Sequence, residues 1–494
     1  MKVLIAYPPI ESEKGVPLLS QNRQFQWFHN PTYIYPMVPS CAASLLKEKG
    51  YDVCWKDGIA EKMSYNDFLK YFKELNPDVV ALETKAPVVQ HHWKIIDDLK
   101  KELPECKIVL FGDHVTALPE ESFNNSPVDY ILTGGNYDFL LLSLCNNLSK
   151  NETLEPGIWM RKDGQVTSTG KFNLDQDLNT LPMIDRDMTK WLLYSEENGN
   201  YSRLPGTYTM AARDCWYHKC TFCSWTTIYP KYSSRTPKKL LDEIGILIEK
   251  YGVKEIMDDS GSFPIGEWLH EFCNGMIERG YNKKIIMDCN MRFGALSFDE
   301  YKLMRKAGFR FMLFGLESAN QKTLERVKKG GGLTKDKIIE SCKMASKAGL
   351  SPHITIMFGY PWEDIDDVQR TVDLGCYLMK KGYAHTLQST VVIPYPGTPL
   401  FDECKKNGWL KTEDWSCYDM REPIMITPMP EEKLMEAVQS VYKVAFNPEF
   451  IFRKLISIRN TEDIKFIWRA AKAVIGHLTD FRGKKCACKN SCKT

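Results

Sequence analysis

The chain has 494 residues, 43% hydrophobic and 26% charged, with a formal net charge of +2. That length points to two to four domains, and the near-neutral balance gives no electrostatic case for a nucleic-acid partner. No run of about 18 uninterrupted apolar residues occurs, so no transmembrane segment is expected, and residues 1–6 are too short for the apolar core of a signal peptide.

Residues 2–7 read as a strand stopped by Pro8-Pro9, and 39–49 as a helix with Gly50 as its C-cap. Strands are expected at 53–59, 78–84, 107–111 and 130–133, with helices at 67–75 and 92–103 between them. Short apolar runs alternating with helices predict a Rossmann-like, doubly wound parallel sheet over residues 1–150. Such a sheet binds ligands beyond the carboxyl ends of its strands. The chain offers Tyr7-Pro8-Pro9, Gly112-Asp113-His114-Val115-Thr116 and Gly134-Gly135 there. Glycines after two different strands let a large flat ligand approach the backbone. The aromatic-rich stretch 25–36 is expected to pack on the next domain rather than to cover a ligand.

Residues 151–200 read as a linker with a small hairpin at 158–167. A strand-like run, 208–212, then leads into Arg213-Asp214-Cys215-Trp216-Tyr217-His218-Lys219-Cys220-Thr221-Phe222-Cys223. Three thiolates on one short loop can hold three irons of a 4Fe-4S cluster and leave the fourth open. A structural zinc site would recruit His218 as a fourth ligand, without the second knuckle such sites use. Most of the sixteen cysteines sit singly in apolar settings (Cys41, Cys54, Cys145, Cys273, Cys289, Cys376) and read as buried free thiols, in keeping with a reducing cytoplasm.

From 201 to 425 the pattern becomes strand, loop, helix, repeated. Helices are expected at 237–251, 265–279, 298–306, 335–347 and 366–380, and strands at 255–257, 285–288, 311–314, 354–358 and 386–393. Six such units make a partial β/α barrel, with functional residues on the loops at the carboxyl ends of its strands. Those loops carry Asp258-Asp259, Asn290-Met291-Arg292, Glu317, 357–363 and 394–400. Residues 426–494 read as a helical region, 431–445, 450–458 and 464–478, closing the barrel rather than lying on a membrane. The basic tail with Cys486, Cys488 and Cys492 reads as disordered rather than as a second cluster site.

The cysteine loop resembles that of the radical SAM superfamily, which carries three cysteines after the first barrel strand and an aromatic before the last, here Phe222. The family's usual spacing has three residues between the first two cysteines, whereas this chain has four, Trp216 to Lys219. The loops of the first domain resemble a cobalamin-binding domain. Its glycine-led His-x-Thr-x-x-Pro-Glu stretch is matched by Gly112-Asp113-His114-Val115-Thr116-Ala117-Leu118-Pro119-Glu120, with Asp113 where the family has a glycine-rich lead, and its Gly-Glu-x-Glu becomes Gly135-Asn136-Tyr137-Asp138. The Asp-x-His-x-x-Gly signature of an axial histidine does not follow strand one.

The resemblance implies that Cys215, Cys220 and Cys223 hold a 4Fe-4S cluster, and that Phe222, Asp258, Asp259, Arg292 and Glu317 surround S-adenosyl-L-methionine (SAM). It implies that Tyr7, Pro8, Gly112, His114, Thr116, Gly134 and Gly135 line cobalamin, with His114 a secondary candidate for its axial ligand. Residues 394–400 would shape the substrate side. The expected reaction is reductive cleavage of SAM to a 5′-deoxyadenosyl radical and methylation of an unactivated carbon. A low-potential donor such as ferredoxin or flavodoxin would supply the electron, in an anaerobic cytoplasm. Cyclisation or rearrangement without methyl transfer is the alternative, as is a non-catalytic cluster or cobalamin sensor. The substrate (a small molecule, a lipid or a peptide) is left open.

Overall fold

The computed structural model describes residues 1–19, 25–196, 198, 201–329, 331–456, 458 and 460–480. The cysteines of the tail, Cys486, Cys488 and Cys492, lie outside the described residues.

Two parallel sheets organise the chain. The first contains β1 (Lys2–Tyr7), β2 (Asp52–Asp57), β3 (Val79–Glu83), β4 (Lys107–Phe111), β5 (Tyr130–Leu132) and the pair β6 (Ile158–Lys162) and β7 (Gln165–Ser168), in the order β2-β1-β3-β4-β5-β6-β7. The central strands β1, β3 and β4 are almost wholly apolar and buried, as a sheet covered by helices on both faces requires, whereas the edge strand β2 is half polar and partly exposed. The expected doubly wound fold is present. One expectation needs correction: the hairpin in the presumed linker joins this sheet, β6 pairing antiparallel with β5.

The second sheet runs β8 (Gly206–Thr209), β9 (Glu255–Asp258), β10 (Ile286–Met291), β11 (Phe309–Glu317), β12 (Ser351–Phe358) and β13 (Thr386–Val391), every neighbour parallel. This is the six-stranded partial barrel. The run expected as one strand at 208–212 divides. Thr209 Oγ1 and the Ala211 amide both donate to Asp258, which turns the chain out of the barrel. Ala212–Arg213 then pairs with Ser233–Ser234 in a separate two-residue ladder that closes the base of the cysteine loop.

The rest of the presumed linker is also fixed in place. The buried Arg186 guanidinium donates to Thr207 Oγ1, the Tyr208 carbonyl and Glu243, and lies 4.7 Å from the Tyr35 ring centroid. From the first sheet's side, Ser44 Oγ accepts from the Asp185 amide and Lys47 pairs with its carboxylate. Of the aromatic stretch, Phe25, Trp27, Tyr33 and Tyr35 are buried, and Ile34 reaches the barrel mouth. After the barrel come helices Glu431–Ser440, Pro448–Ile456 and Thr461–Asp480. Among the described residues no helix is long and apolar enough to cross a membrane.

Candidate functional site

A cavity of about 230 Å³ opens at the carboxyl ends of the barrel strands. The period-two alternation of strands decides what faces it. Tyr208, Met257, Leu313, His353, Thr355, Met357 and Gln388 line its depth, and Asp259, Asn290, Arg292, Gly315 and Glu317 its mouth. Cys215, Cys220, Phe222 and Cys223 close one side, together with Asp214, His218 and Lys219 of the same loop. All three cysteines are half-buried free thiols. Among the described residues no three His, Cys, Asp or Glu side chains converge as a single-metal site needs. A cubane distributes its thiolates over separate irons, so three thiols facing one cavity fit that group.

The loop is held by its own residues. Cys215 bridges to Ser262 beside β9, and Trp216 Nε1 donates to the Phe263 carbonyl at 3.1 Å. The Thr221 amide donates to the Val327 carbonyl, and the Thr221 carbonyl accepts from the Leu400 amide. The extra residue between Cys215 and Cys220 is absorbed in a left-handed bend at His218, whose Nδ1 bonds Asp214 one helical turn back in sequence. Burial raises the Cys220 thiol pKa, and the Lys329 ammonium nearby acts in the opposite direction.

Lys329 escaped sequence reading because it follows no strand end. Its ammonium donates to Glu317 Oε1 at 2.7 Å inside the cavity. Burial is the largest single influence and works against that charge, but the charge and hydrogen bond of Glu317, with Cys220, together outweigh it and hold the lysine pKa above its ordinary value. Glu317 itself sits at φ +63 beside a register shift between β11 and β12. Arg292 lies 3.3 Å from the Tyr217 ring centroid and 5.4 Å from that of Trp216, and donates to the Lys329 carbonyl. Its buried Nε finds no partner among the described residues. Arg292, Lys329, Asp259, Glu317 and Asn290 around one cavity suit a zwitterionic ligand with an amino and a carboxylate group.

Asp258 is not among these groups. It points away from the cavity, fully buried, and accepts from Thr209, Ala211 and Ser260. Burial raises its carboxyl pKa while the Ser260 hydrogen bonds act against this. It shapes the turn from β8 rather than facing a ligand.

The carboxyl end of the first sheet faces the barrel, and protein atoms fill the space beside its glycines. A Cβ on Gly134 would come within 2.4 Å of the Phe172 ring, and one on Gly135 within 1.9 Å of Tyr229. The close approach expected of a flat ligand at these two glycines is therefore made by the chain's own aromatics. Gly112 lies against the Thr84 carbonyl, 2.1 Å from where a Cβ would stand, and Thr116 Oγ1 bridges the Gly112 carbonyl and the Gly134 amide. His114 is committed elsewhere: Nε2 bonds Glu121 at 2.8 Å and the ring meets Trp415 edge-on. Pro8 is buried in the loop after β1. Tyr7 Oη donates to Glu83, whose carboxyl burial lifts to a pKa of about 7. Beside them the buried Tyr137 Oη and His92 Nε2 have no hydrogen-bond partner among the described residues.

One contact joins the two sheets at the cysteine loop. Arg213, two residues before Cys215, donates to Asp138 through both terminal nitrogens at 2.9 and 2.5 Å, and to Asn136 at 2.8 Å. The Gly135 amide also donates to the Ile228 carbonyl beyond the loop.

Comparison with known proteins agrees with this architecture. Residues 212–375 match the family model of the Radical SAM superfamily. An uncharacterized methyltransferase, PH0819, of Pyrococcus horikoshii is 25% identical over 90% of this chain and 92% of its own length. The anaerobic magnesium-protoporphyrin IX monomethyl ester cyclase of Cereibacter sphaeroides is 24% identical over 82% of this chain and 66% of its own. The solved structure of the cobalamin-dependent S-adenosylmethionine radical enzyme OxsB, with aqua-cobalamin and S-adenosylmethionine bound, superposes with a TM-score of 0.70 at 15% identity. That match covers 97% of this chain and 71% of OxsB.

Proposed function

We propose that this chain is a cobalamin-dependent radical SAM methyltransferase. The observation that carries the reading is the convergence of Cys215, Cys220 and Cys223 on one cavity that also holds Asp259, Arg292, Glu317 and Lys329. With the groups bound, the cluster supplies the electron that cleaves SAM and cobalamin supplies a transferable methyl group.

The chain's own residues bind and orient. The three cysteines hold the cluster, and Phe222 packs beside the last of them. Arg292 and Lys329 hold the carboxylate of SAM, and Asp259 and Glu317 its ammonium. Tyr208, Met257, Leu313 and Met357 wall the cavity with apolar surface, excluding water from reactive species. Tyr7, Pro8, Gly112 and Thr116 belong to loops that face the barrel from the first sheet, where cobalamin docks. The unpartnered Tyr137 Oη and His92 Nε2 are the groups there that would hydrogen-bond its amide side chains. His114 is committed to Glu121 and would take no part in holding cobalamin. A low-potential donor such as ferredoxin or flavodoxin delivers the electron.

A second reading, cyclisation without methyl transfer, draws on the cyclase relative. Protein reconstituted anaerobically with iron, sulfide and cobalamin, then given SAM and a low-potential reductant, distinguishes the two. 5′-Deoxyadenosine together with cobalamin-dependent S-adenosylhomocysteine is the expected result. Deoxyadenosine alone would favour the cyclase. A Cys215→Ala protein that still cleaved SAM would overturn both.

A further inference from the structure

The helix Pro448–Ile456 is built inside out for a water-facing surface helix. Its two basic residues turn inward: Arg453 donates to the Met379 and Lys380 carbonyls at the end of helix Ile365–Lys380, and Lys454 is half-buried beside it, leaving Glu449 its one exposed charge. The residues facing out are aliphatic and aromatic, Phe452 at 64% exposure, Leu455 at 60% and Ile456 at 63%. The next helix, Thr461–Asp480, also exposes Ile464 at 55% and Trp468 at 64%, one turn apart. Six of the twelve large hydrophobic side chains exposed among the described residues fall within these 18 positions, from Ile451 to Trp468. Clustered exposure of this kind marks a surface with a partner.

Charge identifies the partner. Residues 448–494 contain eleven Lys and Arg against four Asp and Glu, a net +7. The whole chain carries +2, so residues 1–447 are net −5. The last fourteen residues add five basic side chains and no acidic one. A second copy would bring two such cationic segments together. A polyphosphate would satisfy the charges but leave the apolar side chains in water. An anionic bilayer satisfies both, taking the apolar face below its headgroups and the lysines and arginines at its surface. Trp468 then stands at the depth tryptophan favours in an interface.

We propose that helices Pro448–Ile456 and Thr461–Asp480 attach this protein to an anionic membrane surface. The attachment is peripheral and reversible. It does not depend on the proposed chemistry, because vesicle binding is read without cofactors or turnover.

The test is co-sedimentation of the full chain with vesicles of phosphatidylcholine alone and of phosphatidylcholine mixed with phosphatidylglycerol. Wild-type protein binds the anionic vesicles, and about 0.5 M salt releases most of it. Phe452→Glu with Leu455→Glu lowers the partition coefficient about tenfold or more. Leu192→Glu, on another exposed apolar residue, leaves it unchanged. Ile451→Ser, a milder change on the same face, provides the same comparison if the double variant does not fold. No binding by wild-type protein would overturn the proposal, as would equal binding by the face variants. Concentration-dependent dimerisation abolished by the same variants, without vesicle binding, would assign the face to a second copy instead.

Discussion

Replacing Arg213 by Met should strip the joint between the two sheets of a buried cation while keeping much of the side-chain volume. Arg213 and Asp138 are 3% and 0% exposed and share two hydrogen bonds, with Asn136 accepting a third. Removing one member of such a pair leaves the other charge buried, which costs about 3–5 kcal/mol. Asp138→Leu should cost a similar amount. The double variant, with no charge left to strand, should be less destabilised than the sum of the two by about 2 kcal/mol or more. Urea denaturation of all four proteins, followed by tryptophan fluorescence, measures the cycle. Because Arg213 anchors the start of the cysteine loop, each single variant should also take up less iron on reconstitution. Additive single effects, each below about 1 kcal/mol, would refute the reasoning, since they would mean water reaches the pair.

Three further outcomes follow from the site and its surroundings. Glu83 titrates near 7 when folded against an ordinary 4.5, so the stability it lends is full below pH about 4.5 and lost as pH rises through about 7. Glu83→Gln has no such loss, and its stability relative to wild type should rise by about 3 kcal/mol between pH 4.5 and 8, measured by denaturation at each pH. Lys329→Met should weaken SAM binding about 10- to 100-fold in equilibrium titration, with Lys329→Arg retaining most of the affinity; equal affinity in all three proteins would remove Lys329 from the site. Gly135→Ala must displace the Tyr229 ring and should lower stability by about 1–3 kcal/mol, whereas Gly331→Ala, with open space around it, should be near neutral in the same melting experiment.

The sequence carried what depends on local pattern. Apolar runs alternating with amphipathic helices located both sheets to within a few residues, because strands buried on both faces leave a continuous apolar signature. Three cysteines in nine residues announced the centre of the barrel mouth. The adjacent acids Asp258 and Asp259 were legible too, had the period of two been applied: Met257 and Asp259 share the inward face, so Asp258 points outward. Other features lie beyond local reading. Gly135 and Tyr229 are 94 residues apart, and a glycine makes room equally for a ligand or for a ring of its own chain. Lys329 acquires its role only when the loop after helix Gln321–Arg326 folds back over Glu317. The hairpin at β6–β7 was visible as a hairpin, but nothing in its residues says which sheet edge it extends.

The anchoring of Arg186 bears on how this architecture can be recombined. The segment between the sheets bonds forward, through Arg186, to β8 and Glu243, and backward, through Asp185, to Ser44 and Lys47. A chimera that exchanged the first sheet for a relative's at a junction near residue 170 would keep the forward contacts and strand the backward ones. A junction near residue 202 would do the reverse. Grafting therefore has no neutral seam here, and the pair Ser44–Asp185 must travel together whichever half is replaced.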